Sequence, residues 1–349
     1  MKIIEKYIGQ SIVLSSLVIL VCLMGIFSFF SLIENLSDHN SLSAVLVFSM
    51  TLLDLPGLAF DLMPIAALVG TLLALGGLME KNELVVVRMA GGAKLYIFAI
   101  VLKSASVLVV FAILLGEIFA PIGQNLAANM TSSIPNFETQ NERIWAKEDN
   151  AFISVGGMPS ECRLIDIKIL KFTNDGALNE SIFAKNGNCI KNGWELNGVE
   201  KTFFERDARR IEHTELLIWK TDLDSNLFGM LGLDPEKLGL VDLWTYVNYA
   251  KQNAQHSQKW AQAFWFRLIH PFTIYCMVFL AFPAVLMTSR STGLGRVVFV
   301  GICAGLAFYV FNRLSSSFGI AFEFNPIFSS LSPSLLILVI GTWLNIRAR

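Results

Sequence analysis

Charged residues are scarce in this sequence. Asp, Glu, Lys and Arg make up only 16% of its 349 residues, whereas soluble globular domains carry about a quarter. The formal net charge is −1, which gives no reason to expect a nucleic acid as a partner. Hydrophobic residues make up 54% of the chain and are segregated into long blocks. This segregation indicates an integral membrane protein rather than one large soluble core.

The sequence also lacks the common motifs of catalytic and metal sites. It contains no GxxxxGK[ST] loop for phosphate, no HExxH helix and no GxSxG turn, and its 4 histidines are scattered. The spacing of Cys and His predicts no metal site. We therefore expect no catalytic residue, no metal and no cofactor in this chain.

The 5 cysteines fall into two groups. Cys22, Cys276 and Cys303 lie in apolar runs, where a thiol usually behaves as a small hydrophobic group. Cys162 and Cys189 lie in the polar middle of the chain. They either pair in an oxidising compartment or remain free thiols, and the sequence leaves both possibilities open.

Long apolar blocks indicate six membrane-spanning helices. Each block reaches or nearly reaches the ~20 residues that a helix needs to cross a bilayer, and a helix satisfies its own backbone in hydrocarbon. The first block is too long for a signal-peptide core and has no cleavage signature, so we interpret it as a retained span. The blocks are 7–33, about 55–79, 95–116, 268–289, 297–312 and 324–346.

These blocks predict an α-helical polytopic membrane protein in which a large domain is inserted between two groups of three spans. Residues 1–116 would form spans one to three, and 263–349 would form spans four to six. Residues 117–262 would form an extracytoplasmic β domain with a connecting helix.

The positions of Lys and Arg in the short connections predict the orientation. Such residues collect on the cytoplasmic side of membrane proteins. The short connections on one side, at about 34–54 and 315–323, carry none. We therefore predict cytoplasmic termini and an extracytoplasmic insert. The basic residues of the other side are Lys2, Lys6, Lys81, Arg88, Lys94, Arg290, Arg296, Arg347 and Arg349.

The polar insert has the pattern of an all-β domain. Short runs with partial period-two alternation are separated by Asn-Gly or Asp-Gly turn signals, as in a sandwich or jelly roll. A helical period then returns at 238–252, which predicts the connecting helix. The expected strands are 144–155, 162–172, 178–185, 199–206 and 214–223, with turns at Asp175-Gly176, Asn186-Gly187, Asn192-Gly193 and Asn197-Gly198.

The connection at 80–92 is short and contains both charged and apolar residues. Asn82 is a possible helix N-cap, and Glu83 is favourably placed at the positive end of a helix. These signals predict a cytoplasmic helix of about two turns. Its apolar residues, which include Leu84 and Val87, need a cover. Lipid headgroups and a soluble partner protein are both candidates.

Two arginines near the outer boundary of the membrane have ambiguous roles. Arg313 ends the fifth block, and Arg267 begins the fourth. Each either extends its side chain to the interface or faces an internal cavity and meets an anionic headgroup. His270 is interpreted as a packed residue at a proline kink rather than a proton relay. Glu117 marks the outer end of span three, where Pro121 is expected to break the helix.

Together these features resemble the lipopolysaccharide export permeases of the LptF/LptG family over nearly the whole chain. The resemblance is closer to the G-type subunit in the YIG start, the IWAK segment and the PEKLG run. The combination is specific, although no single segment is. The segments are EKYIGQS (5–11), LMPIAALVGTLLALGGLMEKNELVVVRMAGG (62–92), GEIFAP (116–121), IWAKEDNAFI (144–153), PEKLGLVDLWTYVNY (235–249), FWFRLIHP (264–271) and GLGRVVFVGICAGLAFYVFNRL (293–314).

The resemblance implies a non-catalytic permease subunit of an ABC transporter in the inner membrane of a Gram-negative bacterium, with a periplasmic jelly-roll domain. Its partners would be an LptF-like subunit, an LptB-like ATPase dimer that binds ATP and Mg, and a single-span LptC-like protein. The segment 80–92 would be the coupling helix that fits a groove of the ATPase. The implied coupling residues are Asn82, Glu83, Leu84, Val87, Arg88 and Gly91.

The implied substrate is lipopolysaccharide, which would enter a cavity between the two permease subunits and leave by a periplasmic bridge toward the outer membrane. The G-type pattern often places lysines where this chain has Ser31, Ser37, Asp38 and Gly57. The cation for a phosphate is therefore sought at Arg313. The substrate-path candidates are Phe30, Glu34, Phe60, Arg267, Phe308, Phe311 and Arg313, with Phe27, Phe29, Leu32 and Met63 as further lining.

Two other functions fit the same sequence pattern. A membrane-anchored sensor or interaction protein would bind an envelope ligand through the β domain, and 80–92 would lie on lipid. A permease for another lipid or a lipoprotein would keep the architecture and change only the cavity.

Overall fold

A computed structural model describes the chain in two compact units. One unit comprises Met1–Gln124 and Ala261–Arg349, and the other comprises Asn125–Trp260. The first contains the apolar helices, and the second contains a β-sheet. The described residues are 2–38, 43–83, 87, 89, 94–132, 143–148, 150–160, 162–173, 175–191, 193–204, 209–221, 223, 225–231, 234–253, 257–287 and 294–347.

Six helical segments of the first unit are long and apolar enough to cross a membrane, which confirms the six predicted spans. In chain order the described helices are α1 (Lys2–Asp38), α2 (Ala44–Glu80), α3 (Lys94–Leu114), α4 (Ala120–Ser132), α5 (Ser225–Leu231), α6 (Leu240–Gln252), α7 (Gln258–Leu286), α8 (Leu294–Ala321) and α9 (Pro326–Arg347). Five of the six segments are α1, α2, α7, α8 and α9. The remaining segment is α3, which continues into α4.

The prediction that the third span breaks at Pro121 is wrong. A π-helical turn, Leu115–Phe119, joins α3 to α4, and the helix continues to Ser132. In this turn the Ala120 N–H donates to the Leu115 carbonyl, five residues back. Because the wider turn already shifts the hydrogen-bond pattern, the missing N–H of proline is accommodated without ending the helix.

Helix α2 forms the centre of the helical unit. Its most apolar window is 83% buried, against 17% for the corresponding windows of α1 and α8. Eleven consecutive residues, Leu62–Leu72, are buried, so this part of the helix is covered on all sides. Helices α1 and α8 lie against α2 and turn most of their own apolar surface outward.

The contact between α1 and α2 depends on Gly70. A Cβ at this position would lie 2.3 Å from the Cα of Ser16, so any side chain would push the two helices apart. Small residues allow this close approach, and van der Waals packing of this kind drives helix association in lipid.

The second unit contains a six-stranded antiparallel sheet, which confirms the predicted inserted all-β domain. The order of the described strands in the sheet is their order in sequence, so they form a meander without the Greek-key crossings of a jelly roll. The predicted connecting helix corresponds to α6. The strands are β1 (Ile144–Glu148), β2 (Ala151–Ser160), β3 (Arg163–Phe172), β4 (Leu178–Ile190), β5 (Gly193–Phe204) and β6 (Arg209–Trp219).

The strand boundaries differ from the prediction in three ways. The strand expected at 214–223 is β6, which begins at Arg209 and ends at Trp219. The expected strand 144–155 is two strands, β1 and β2, which pair with each other. The expected turns at Asn186-Gly187 and Asn197-Gly198 lie inside β4 and β5, where Asn186 and Asn197 face each other. Gly198 has a φ of +65°, which glycine adopts easily. The strands pair on both sides of Gly198, so this residue is a local irregularity within β5 and not a turn.

The core of the second unit lies between the sheet and the helices α5 and α6. Ile153 and Trp194 of the sheet belong to the same buried cluster as Phe228 of α5 and Tyr249 of α6. The indole N–H of Trp194 donates to the Leu223 carbonyl at 2.8 Å, and its ring meets Phe228 edge-on at 5.6 Å. This satisfied tryptophan holds the covering segment on the sheet.

Cys162 and Cys189 form a disulfide, which decides between the two possibilities that the sequence left open. The bond joins Cys162, the residue before β3, to Cys189 in β4. The Cys189 N–H also donates to the Cys162 carbonyl at 3.1 Å. Among the other cysteines, Cys276 is buried, whereas Cys22 and Cys303 are exposed. The covalent link therefore belongs to the β-sheet unit alone.

Replacing both bonded cysteines, Cys162→Ser with Cys189→Ser, is expected to destabilise the β-sheet unit. The partners are 27 residues apart, and removing a native disulfide of this kind costs about 2–4 kcal/mol. Thermal unfolding and limited proteolysis of the full-length protein in detergent measure the effect. Cys303→Ser is the matched control, since Cys303 is exposed and unbonded. Equal melting and proteolysis of the double variant and the control would contradict this prediction.

Candidate functional site

The first candidate region is the elbow, the described part of the connection between α2 and α3. It lies at the end of the helical unit where α1 begins, which we call the elbow end. The opposite end, where the chain leaves this unit after Gln124 and returns at Ala261, is the exit end. The elbow consists of Lys81, Asn82, Glu83, Val87 and Met89.

Asn82 ends α2 rather than capping a new helix. Its φ is +59°, in the left-handed region, and its N–H donates to the Met79 carbonyl at 3.1 Å. An N-cap residue has an extended backbone, whereas asparagine is one of the few residues that tolerate the left-handed conformation after a helix. The predicted N-cap is therefore wrong, and Asn82 instead sets the direction in which Glu83 leaves α2.

Glu83 is half-buried against the beginning of α1. The Tyr7 hydroxyl donates to the Glu83 carboxylate at 2.9 Å. Glu5, also on α1, accepts a hydrogen bond from Tyr96 of α3 at 3.1 Å and lies 3.5 Å from the ammonium of Lys103. Side chains of α1 thus contact both the elbow and α3. Sequence reasoning did not identify Tyr7 or Glu5.

The apolar residues of the elbow face different surroundings. Val87 is half-buried and packs against the core of the helical unit, whereas Met89 is 76% exposed. Val87 therefore serves the attachment of the elbow, and Met89 is available to a cover of lipid or protein. Leu84, Arg88 and Gly91 lie outside the described residues.

The second candidate region is the α1–α8 edge, the outward surface of these helices around Phe27 and Tyr309. The rings of these two residues meet edge-on with centroids 5.9 Å apart. On the same side of α1, Phe30 and Glu34 follow Phe27 toward the exit end, and Arg313 follows Tyr309 by about one turn of α8. Phe30, Glu34 and Arg313 are all exposed. The edge thus places a cation and a carboxylate beside an apolar surface.

A separate apolar cavity of about 490 Å³ lies between α8 and α9, on the other side of α8 from Tyr309. Phe311, which is 41% exposed, forms part of its wall. The hydroxyl of Ser315 donates to the Ser329 carbonyl at 2.7 Å, so the polar groups of its floor are engaged within the protein. The cavity is lined by Phe311, Leu314, Ser315, Phe318, Phe324, Phe328, Ser329 and Ser332.

Three predicted lining residues belong to the core instead. Phe60, Met63 and Phe308 are 5%, 0% and 6% exposed. Phe60 stacks on His270 with the ring centroids 3.9 Å apart, which places both side chains within the bundle. The sequence does not distinguish such residues from lipid-facing ones, because a membrane protein uses equally apolar side chains on both surfaces.

Arg267 bonds acceptors inside the protein and is only 6% exposed. Its Nε lies 2.6 Å from a carboxylate oxygen of Glu117, and its guanidinium also donates to the Gly116 carbonyl. The structure therefore does not support Arg267 as a ligand of an anionic headgroup. The two charged residues are 150 positions apart, so no local spacing could have revealed the pair.

Within the described part of the chain, no group of three or more His, Cys, Asp and Glu side chains is placed to hold a metal ion. The predicted site residues that remain accessible form three separate groups there. Asn82, Glu83 and Val87 belong to the elbow, Phe30, Glu34 and Arg313 belong to the α1–α8 edge, and Phe311 belongs to the cavity between α8 and α9. The elbow follows α2 at one end of the helical unit, and the α1–α8 edge residues lie toward the exit end.

Comparison with known proteins covers both units. The profile of the family described as lipopolysaccharide export system permease LptF/LptG matches residues 6–347. Lipopolysaccharide export system permease protein LptG of Escherichia coli (strain K12) is 27% identical over 355 residues, which span 99% of this chain and 98% of the relative. The protein of the same name from Haemophilus influenzae (strain ATCC 51907 / DSM 11121 / KW20 / Rd) is 27% identical over 356 residues, which span 99% of both.

Proposed function

The chain belongs to the lipopolysaccharide export permease family, LptF/LptG. On that premise we propose how this subunit converts movement of a cytoplasmic ATPase into release of lipopolysaccharide. It is a permease subunit of lipopolysaccharide export and has no catalytic activity of its own. The observation that carries the proposal is a family match that extends from residue 6 to residue 347 and so includes both the elbow and the inserted domain.

The elbow is proposed to bind a separate ATPase dimer of the LptB type. Glu83 offers a carboxylate that Tyr7 holds in place, and Met89 offers an exposed apolar side chain. By sequence, Leu84, Arg88 and Gly91 complete the contact. ATP and Mg would bind to the ATPase, and this chain would need no cofactor.

Movement of the ATPase is proposed to be passed on by rigid helices. The elbow follows α2, and the side chains of α1 link it to α3. Because packed helices shift as bodies rather than bending continuously, a push at the elbow end would move their opposite ends.

The α1–α8 edge is proposed to receive lipopolysaccharide against an LptF-like subunit. Phe30 and Phe311 would contact acyl chains, and Arg313 would meet a phosphate, with Glu34 nearby on α1. The cavity between α8 and α9, on the other side of α8, would offer alkyl groups a further apolar concave surface. A single-span LptC-like protein would join the complex and extend the β-sheet unit into a periplasmic bridge toward the outer membrane.

The protein is proposed to lie in the inner membrane with the elbow and both termini in the cytoplasm and the β-sheet unit in the periplasm. The basic residues of the short connections support this orientation. The disulfide between Cys162 and Cys189 supports it independently, because disulfides persist in the oxidising periplasm and not in the cytosol.

Glu83→Lys is expected to abolish association with the ATPase or the coupling of its turnover, since the substitution reverses the charge at the proposed contact. Purification in mild detergent, followed by quantification of the bound ATPase and of ATP hydrolysis, measures the effect. Glu80→Lys is the matched control, because Glu80 is exposed and ends α2 three residues earlier. Normal binding and coupling by the Glu83 variant would rule out this contact.

Arg313→Glu is expected to lower lipopolysaccharide release about tenfold without unfolding the protein, which corresponds to roughly 1.4 kcal/mol. Release from proteoliposomes to a soluble acceptor measures the effect. Arg296→Glu is the control, since Arg296 is exposed near the other end of α8. Release at the rate of the unmodified protein would remove Arg313 from the path.

Labelling of single cysteines tests the orientation. In a chain with Cys22 and Cys303 replaced by serine, Asp175→Cys is expected to react with an impermeant maleimide from the periplasmic side. Asn82→Cys is expected to react only after the inner membrane is opened. Both positions are exposed, so accessibility within the protein is matched. The opposite labelling pattern would invert the topology.

A further inference from the structure

We propose that Arg267 and Glu117 are positioning residues that hold together the two chain segments connecting the helical unit to the β-sheet unit. This inference rests on the proposed function, because the ion pair would pass movement caused by the ATPase on to the inserted domain. It gives the ion pair a role in coupling rather than in binding the lipid.

The pair lies where the chain leaves and re-enters the helical unit. Glu117 is in the π-helical turn after α3, seven residues before the unit ends at Gln124. Arg267 is in α7, six residues after the unit resumes at Ala261. Between these positions the chain forms the second unit, so the ion pair links the helix by which the chain leaves the first unit to the helix by which it returns.

The burial of the ion pair indicates that it fixes the relative position of two helices rather than adding stability. The side chains of Arg267 and Glu117 are 7% and 23% exposed, and their nearest polar atoms are 2.6 Å apart. A buried ion pair often contributes no more stability than apolar side chains of the same volume, because both charges lose their hydration. What it does supply is a fixed geometry, since the guanidinium is planar and the bonds are charge-assisted.

The π-helical turn provides a second acceptor for the same guanidinium. The Ala120 N–H donates to the Leu115 carbonyl, and the next such bond would run from residue 121 to the Gly116 carbonyl. Residue 121 is proline, which has no N–H. Arg267 donates to that carbonyl instead. One backbone carbonyl and one side-chain carboxylate of the same turn are thus bonded by a residue of α7. The two bonds fix the position of α7 both along the turn and beside it.

The pair is also connected to α2, the helix that leads to the elbow. The Arg267 guanidinium lies 5.2 Å from the ring centroid of Phe60, and Phe60 stacks on His270 of α7 at 3.9 Å. A cation over an aromatic face is attracted by the ring quadrupole. Displacement of α2 would therefore reach both connecting segments at one place.

The test variant is the double substitution Arg267→Met with Glu117→Leu. It removes the directional bonds but keeps apolar volume, so the helices are expected to remain assembled. The control is Lys171→Met with Glu180→Leu, which removes a 2.9 Å ion pair between β3 and β4 of the second unit. Arg267→Lys is the conservative variant, which keeps a cation opposite Glu117.

The first measurement is the distribution of distances between spin labels on Asn125→Cys and Lys259→Cys. These labels lie on the two connecting segments in a chain whose free cysteines are replaced. The second is the amount of lipopolysaccharide released per ATP hydrolysed by the complete transporter. The double variant is expected to broaden the distribution and to lower the ratio about fivefold or more while ATP hydrolysis continues. The conservative variant Arg267→Lys is expected to keep the distance distribution and the release ratio close to those of the unmodified protein.

An unchanged distance distribution and an unchanged ratio in the double variant would overturn the proposal. If that variant does not assemble, Glu117→Gln, which keeps an acceptor and removes the charge, is judged by the same two measurements. Failure of the unmodified transporter to release lipopolysaccharide would instead reject the proposed function, and the spin-label distances would still decide the role of the ion pair.

Discussion

The structure depends on one constraint, which is that backbone polar groups inside an apolar bundle need partners within the protein. The long helices meet this constraint by bonding their own backbones. Prolines inside the helices create local exceptions, and the π-helical turn before Pro121 is one of them, since it leaves the Gly116 carbonyl without its usual donor. The guanidinium of Arg267 supplies that donor and brings its charge beside Glu117. A requirement of backbone chemistry is thereby met by an ion pair between distant parts of the chain.

The distribution of burial explains how one bundle combines a rigid centre with a surface for function. The most apolar window of α2 is largely buried, whereas the corresponding windows of α1 and α8 are not. The buried helix leads directly to the elbow at one end, and Phe60, near the middle of α2, lies beside the guanidinium of Arg267. The exposed helices carry the residues proposed to meet lipid. Transmission is therefore assigned to the packed sides of α1, α2 and α3, and lipid binding to the outward sides of α1 and α8.

The sequence predicted the fold well because the main signals are local. Apolar length predicts a span without any knowledge of its neighbours, and alternating patterns with turn signals predict strands in the insert. The errors have physical causes. Asn197-Gly198 has the composition of a hairpin turn, yet the strands pair on both sides of it. Asn82 has the composition of an N-cap, yet its backbone is left-handed.

By itself the sequence determined the six spans, the inserted β domain, the family and the elbow, since each is written in contiguous residues. Only the tertiary structure decided which apolar side chains face outward, that Cys162 bonds Cys189, and that Arg267 turns inward while Arg313 remains exposed. The physical reason is that lipid and protein core select the same side chains. Composition therefore cannot separate the two surfaces, and contacts between residues far apart in the chain have to do so.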